Sequence, residues 1–264
     1  MIPFALISGQ PQSVLPAPTP EDLLDTSLLW YDFSIATAST DTADRNTVFA
    51  NGTFSVFSRV YDLGTSGKHL LRIGTLAQYR MNYLFDSSKS LYVGENTETS
   101  WGVATQSVVL KQDVSSITQF MVFKMPNSYG AFGSGVFQIT GPTYSVKLGI
   151  NGFDSPNYLT LGHAYITPTT NTKGIIVSTA SWQLVVATMS HNLSTLSDVY
   201  MKVNGVLATQ SANGGHSFGG SIDINVGAPR PTRYGEFITF ESLLSSSEIA
   251  TIENYLKSKW NITY

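Results

Sequence analysis

The sequence predicts an all-β fold, two antiparallel sheets in a sandwich or a closed barrel, ending in a single helix. Three observations predict it. Apolar residues recur with a period of two along most of the chain, Gly, Pro and Asn collect between those runs, and only residues 242–260 carry helical spacing.

The strands can be read in order. "ITQFMVFKM" (residues 117–125) and "GVFQIT" (135–140) are rich in β-branched and aromatic residues. In "YSVKLGI", Tyr144, Val146, Leu148 and Ile150 share one face, with Ser145 and Lys147 on the other. "SWQLVVATM" is apolar on both faces, the pattern of a strand buried on both sides. "DVYMKVNGVLAT" reads as a hairpin, because Asn204-Gly205 supplies the positive φ angles of a type I′ turn. "SIDINVG" alternates Ile222, Ile224 and Val226, and "EFITF" follows a loop of Pro and Arg.

The helix is read over 245–260. Ser245 is a good N-cap and Glu248 completes a capping box. Ile249, Ile252, Leu256 and Trp260 form one apolar stripe, and Lys257 and Lys259 lie where the helix dipole favours cations. That stripe must be buried, and the chain's own sheets are the nearest partner. Residues 1–26 hold Pro3, Pro11, Pro16, Pro18 and Pro20 and read as an extended arm, with 27–264 forming the domain. The arm is either a disordered leader or a tether that lies along a neighbouring subunit through Phe4, Leu6 and Ile7.

Composition narrows the function. Charged residues are 12% of the chain, about half the usual share. The net charge of −3 and the scattered Lys and Arg argue against a nucleic-acid partner. The absence of cysteine excludes disulfides, thiol nucleophiles and thiolate metal sites. The apolar patch at residues 2–7 is shorter than a signal peptide's and follows no positive charge, and no segment reaches the ~20 apolar residues of a membrane helix. The expectation is a protein made and used without export.

Six motifs then occur in a fixed order: Leu28-Leu29-Trp30-Tyr31-Asp32; Asp62 with Gly67, Lys68 and His69; Leu84-Phe85-Asp86-Ser87 with Leu91-Tyr92; Trp182, Leu184, Val185, Ala187 and Thr188; Tyr200 with Asn204-Gly205; and Glu236, Phe240, Leu244, Ser245, Glu248, Tyr255, Leu256, Lys259 and Trp260. From residue 27 to the end, the chain resembles the concanavalin A-like lectin/glucanase superfamily, in particular the laminin-G-like jelly-roll domains of bacterial and phage proteins. The resemblance implies a two-sheet antiparallel jelly-roll sandwich with the C-terminal helix packed on it. Two positions depart from it: Val60 stands where the family has Trp, and no Gly follows Asp86. His69 and Glu236 match positions that the resemblance implies are structural.

No catalytic residues emerge. Glycosidases of this superfamily place two carboxylates on one strand, with Glu-x-Asp-x-x-Glu spacing. Here Glu95/Glu98 and Glu236/Glu241 have odd spacings, which send regular-strand side chains to opposite faces. The Gly-x-Ser-x-Gly run at Gly215–Gly219 has no helical pattern after it to make the strand-to-helix elbow of a nucleophilic serine, and His69, His163, His191 and His216 are scattered. Calcium is the one cofactor for which the loops offer ligands, through Asn151, Asp154 and Asn157 or through Asp223 and Asn225, although such residues also form ordinary turns. For glycan binding the candidates are Trp101, Tyr129, Phe132 and the loop carrying Arg230, Arg233 and Tyr234, with Trp101 and Phe132 also fitting a core.

The function expected is a non-catalytic structural or adhesive virion protein of a phage: a capsid decoration, head fibre or tail component. Its arm would join neighbouring subunits in an oligomeric assembly, its sandwich would face host glycans, and neither nucleic acid nor membrane would be a partner. The alternatives are a carbohydrate-binding module or adhesin at a bacterial cell surface and, after that, a polysaccharide hydrolase.

Overall fold

A computed structural model describes residues 18–34, 49–51, 54–57, 59–67, 69–71, 81–96, 116–124, 134–140, 145–151, 158–163, 172–176, 181–190, 192–193, 199–211, 216–217, 223–226 and 232–264. The elements are α1 (Pro20–Leu24), β1 (Leu29–Asp32), β2 (Phe49–Asn51), β3 (Phe54–Phe57), β4 (Arg59–Val60), β5 (Leu70–Leu71), β6 (Met81–Asp86), β7 (Leu91–Asn96), β8 (Ser116–Lys124), β9 (Ser134–Thr140), β10 (Ser145–Asn151), β11 (Tyr158–His163), β12 (Thr172–Ile176), β13 (Trp182–Ser190), β14 (Asn192–Leu193), β15 (Val199–Val203), β16 (Val206–Leu207), β17 (Thr209–Ser211), β18 (His216–Ser217), β19 (Asp223–Val226), β20 (Thr232–Phe240) and α2 (Ser246–Lys259).

They form the expected all-β, two-sheet antiparallel sandwich with a C-terminal helix packed on it. The large sheet runs β16-β15-β13-β8-β20-β7-β6-β3-β2, and β1 pairs with β20 beyond the end of β7. The second sheet runs β17-β12-β11-β10-β9-β19. Two small ribbons, β14-β18 and β4-β5, complete the set. The chain passes from one sheet to the other at Ala208, between β16 and β17.

Both faces of the large sheet's centre are covered. On one face, Phe120 and Val122 of β8, Leu184 and Val186 of β13 and Ile238 and Phe240 of β20 meet Ile252, Leu256 and Trp260 of α2. Residues of the opposite parity, among them Met121, Phe123, Val185 and Phe237, are buried as well. This two-sided burial explains why "SWQLVVATM" shows no polar face. At the hairpin, Asn204 (φ 46°) and Gly205 (φ 78°) take the left-handed angles the sequence predicts.

Residues 20–24, read from sequence as part of an extended arm, instead form α1. Thr19 and Asp22 close a capping box, and Leu23 and Leu24 are buried in the cluster beneath α2. Pro20 suits this start, since proline is pre-organised for a first helical turn. Residues 1–17 of the proposed arm lie outside the described residues.

α2 is capped as the sequence predicts: Ser245 Oγ accepts from the Glu248 N–H, and Glu248 Oε2 accepts from the Ser245 N–H at 2.7 Å. Ser245→Ala is expected to lower stability by about 1 kcal/mol. A thermal melt checks this, with Ser245→Asp expected close to wild type.

Candidate binding surface and the ionic core beneath the helix

The β6–β7 hairpin has two chemically distinct sides. Leu84 and Val93 are cross-strand partners that turn toward the α2 cluster, so their neighbours Phe85 and Tyr92 turn away from it. Phe85 and Tyr92 are themselves partners, packed edge to face with ring centroids 5.3 Å apart. They remain 54% and 45% exposed, which is unusual for two adjacent aromatic rings on a sheet.

On the helix side of the same hairpin, Arg233 donates from Nε to Glu95 at 2.8 Å and from an Nη to Asp86 at 3.0 Å. Asp86 also accepts from the Ser88 amide and hydroxyl, which tightens the turn. The left-handed residue of that turn is Ser90 (φ 55°), not Ser87, so the turn does not require a glycine directly after Asp86. Burial works against the Asp86 carboxylate, but the hydrogen bonds from Ser88 and Arg233 outweigh it and hold the group below its ordinary 3.8. Its contribution is therefore full above that pH and fades as pH falls below it. Arg233→Met is expected to cost about 1.5 kcal/mol at neutral pH, a figure that allows for screening of the part-exposed guanidinium. The difference in melting temperature from wild type should shrink on acidification to pH 3.

Sequence reading placed Arg233 and Tyr234 on an exposed loop, and the structure corrects this. Both lie in β20, and Tyr234 is only 4% exposed, its ring 5.9 Å from Phe33. The reason is a β-bulge. Tyr234 pairs with Phe123 and Glu236 with Val122, leaving Gly235 without a partner on β8, so Tyr234 and Glu236 project to opposite faces despite being two apart. Trp101, Tyr129, Phe132 and Arg230 lie outside the described residues. Of the calcium-ligand set, Asn151 ends β10 in register with Tyr158, while Asp154 and Asn157 are also outside. In the second set, Asp223 pairs with Thr140 and Asn225 with Gln138, two register steps apart with Ile224 between them.

The bulge sends Glu236 beneath α2, where a polar cluster sits that no local spacing announces. Asp32 and Glu236 are cross-strand partners on β1 and β20, 3% and 2% exposed. Lys259 reaches between them, its Nζ on Asp32 Oδ2 and 2.8 Å from Glu236 Oε2. Glu236 also accepts from the indole N–H of Trp30 at 2.7 Å and of Trp260 at 2.9 Å, and from the Tyr255 hydroxyl at 3.3 Å. Asp32 Oδ1 accepts from the Ser34 amide and hydroxyl at 2.9 and 2.6 Å. Burial, then the nearby Asp32 charge, push the Glu236 carboxyl above its ordinary value. Burial opposes the Lys259 ammonium, but the two carboxylates more than offset that and raise it. The sequence assigned Lys257 and Lys259 alike to the helix dipole. Lys257 instead lies over the Tyr264 ring at 4.1 Å, and Lys259 neutralises the buried acids.

His69 has the structural role expected, its Nδ1 accepting from the Asp62 amide at 3.0 Å. Asp62 in turn accepts from the Trp30 and Gly64 amides and from Ser66, which anchors the 62–67 turn along β1.

No family model and no curated protein matches the sequence. Among solved structures, the chain is similar to the binding domain of botulinum neurotoxin serotype G, at 10% identity over 88% of this chain and 51% of that one, with a TM-score of 0.48. It spans about half the length of that domain and of two further receptor-binding domains like it. It is also similar to domain 4 of an extracellular arabinanase from Geobacillus stearothermophilus, solved with arabinotriose, at 12% identity over 86% of this chain and 98% of that one, TM-score 0.43. A third similarity is to Trypanosoma rangeli sialidase, at 12% identity over 85% of this chain and 36% of that one, TM-score 0.43.

Proposed function

We propose that the chain is a non-catalytic, lectin-like binding domain whose β6–β7 hairpin meets a glycan. The observation that carries this is the exposed Phe85–Tyr92 pair. An aromatic ring offers an apolar face to the C–H groups of a sugar, and two rings held by cross-strand packing lose little entropy on binding. Arg233, pinned by Asp86 and Glu95, stiffens the hairpin from its other side.

A non-catalytic role is supported by the fate of Asp32 and Glu236. They stand side by side, as glycosidase carboxylates do, but both lie beneath α2 and are already engaged by Lys259, Ser34 and two indoles. A polysaccharide has no route to them. We place the domain in a phage particle, as a decoration, fibre or tail component, on the grounds of its low charge, lack of cysteine and proline-rich start.

A glycan array with the whole chain tests the binding role. Phe85→Ala and Tyr92→Ala are each expected to weaken the best ligand by roughly tenfold at most, and the pair by more. A silent array, or a double variant that binds like wild type, overturns the assignment. Reducing-sugar release from the same ligands would overturn the non-catalytic part. For the particle role, residues 1–17 are the segment to delete, with loss of incorporation expected. A deletion through residue 26 would also strip Leu23 and Leu24 from the core and confuse the result.

A further inference from the structure

We propose that Lys259 and Asp32 become joined by an amide bond that the folded chain makes for itself, with Glu236 as the proton-transfer group. This is independent of the glycan reading. The structure brings together every group such a condensation needs. The Lys259 Nζ is in contact with the Asp32 carboxyl, and Glu236 Oε2 is 2.8 Å from the same nitrogen. The Ser34 amide and hydroxyl both donate to Asp32 Oδ1, the oxygen on which negative charge develops when the carboxyl carbon is attacked. The Asp32 and Glu236 side chains are both 0% exposed and the Lys259 side chain 19%, and the Trp260 indole lies against Glu236.

The step balances without any co-reactant. The Lys259 ammonium passes one proton to Asp32 Oδ2, leaving a neutral amine and a carboxylic acid. The amine nitrogen attacks the Asp32 carboxyl carbon, and its C–O double bond to Oδ1 opens to an oxyanion held by Ser34. Glu236 takes a proton from the attacking nitrogen and delivers it to Oδ2, which leaves as water as the carbonyl re-forms. An ammonium and a carboxylate have become an amide and one water, and Glu236 ends as it began.

Two physical terms favour it. Reactants fixed in contact have a very high effective concentration, so little entropy remains to be lost. The Asp32 carboxylate is also held out of water, where a charge carries a desolvation cost of several kcal/mol, and condensation removes it together with the ammonium charge. Burial and the Asp32 charge raise Glu236, which favours its taking up a proton. The amide would tie the first strand of the large sheet to the last turn of the terminal helix, positions 227 residues apart in sequence.

A tryptic digest of the full chain, read by tandem mass spectrometry, decides the matter. The expected result is a branched peptide, uncut after Lys259, in which the Asp32 peptide and the Lys259 peptide are joined with the loss of one water. Recovery of both as separate linear peptides overturns the proposal. Glu236→Gln keeps the side chain's shape and one acceptor oxygen, with its NH2 facing one of the two indole N–H groups, and is expected to leave the peptides linear in a protein that still unfolds cooperatively. A branched peptide from that variant overturns the role given to Glu236.

Discussion

Gly235→Val is expected to undock the C-terminal helix. A β-carbon at position 235 would stand 2.8, 2.9 and 3.0 Å from three carbons of the Trp260 six-membered ring, closer than real contacts allow. That ring cannot retreat: Trp260 is fully buried, tilted against Trp182 at 5.3 Å, and pinned by its N–H to Glu236. Over-packing of this kind costs about 1–3 kcal/mol for a methyl group, so Gly235→Ala should fall in that range and the larger valine beyond it. Urea unfolding followed by tryptophan fluorescence reads both. Gly235→Ala combined with Trp260→Leu should cost less than the sum of the two single changes, because the smaller side chain vacates the space. An alanine variant with the wild-type midpoint would show that the close approach is not there.

Lys259→Met should be comparably severe. Whether Lys259 stands as the ammonium or has formed the proposed amide, its loss leaves Asp32 and Glu236 as adjacent buried acids with no cation; measured from the ion-paired form, breaking a buried pair in this way costs about 3–5 kcal/mol. The sign with pH is definite. At neutral pH the variant must either hold two like charges together or bind a proton, whereas in mild acid one carboxyl protonates and the repulsion ends. The stability gap to wild type is therefore expected to narrow as pH falls from 7 to 5. A gap that stays constant, or widens, would mean that methionine costs only packing. Removing one of the two acids, by adding Glu236→Gln to Lys259→Met, ends the like-charge repulsion and should recover part of the loss at pH 7 and little at pH 5.

These two sites show what a linear reading reaches. Ser245, Glu248, Ile252, Leu256 and Trp260 declare a capped, one-sided helix because cap and stripe repeat within a few residues. The Asn204-Gly205 turn and the two-sided burial of residues 182–187 are legible for the same reason: a local backbone requirement selects local residue types. The α1 helix went unread because five residues with Pro at the start look like more of the proline-rich leader, although the Thr19–Asp22 capping box was the available signal. Tyr234 was placed on a loop because the prolines and arginines before it read as one, whereas β20 begins at Thr232 and the bulge at Gly235 turns the ring inward, a shift that no propensity marks. The pairing of Phe85 with Tyr92 and their shared exposure follow from strand register, which single-strand patterning leaves open.

By itself, the sequence determined the class of fold, the terminal helix and its buried stripe, because these depend on side-chain period and on turn and cap chemistry within one segment. Only the tertiary structure decided that Asp32, Glu236 and Lys259 meet, that glycine must stand at 235, and that one hairpin shows its aromatic side to solvent. Those outcomes depend on register between strands up to about two hundred residues apart and on which face of the sheet the helix covers, and chain order carries neither.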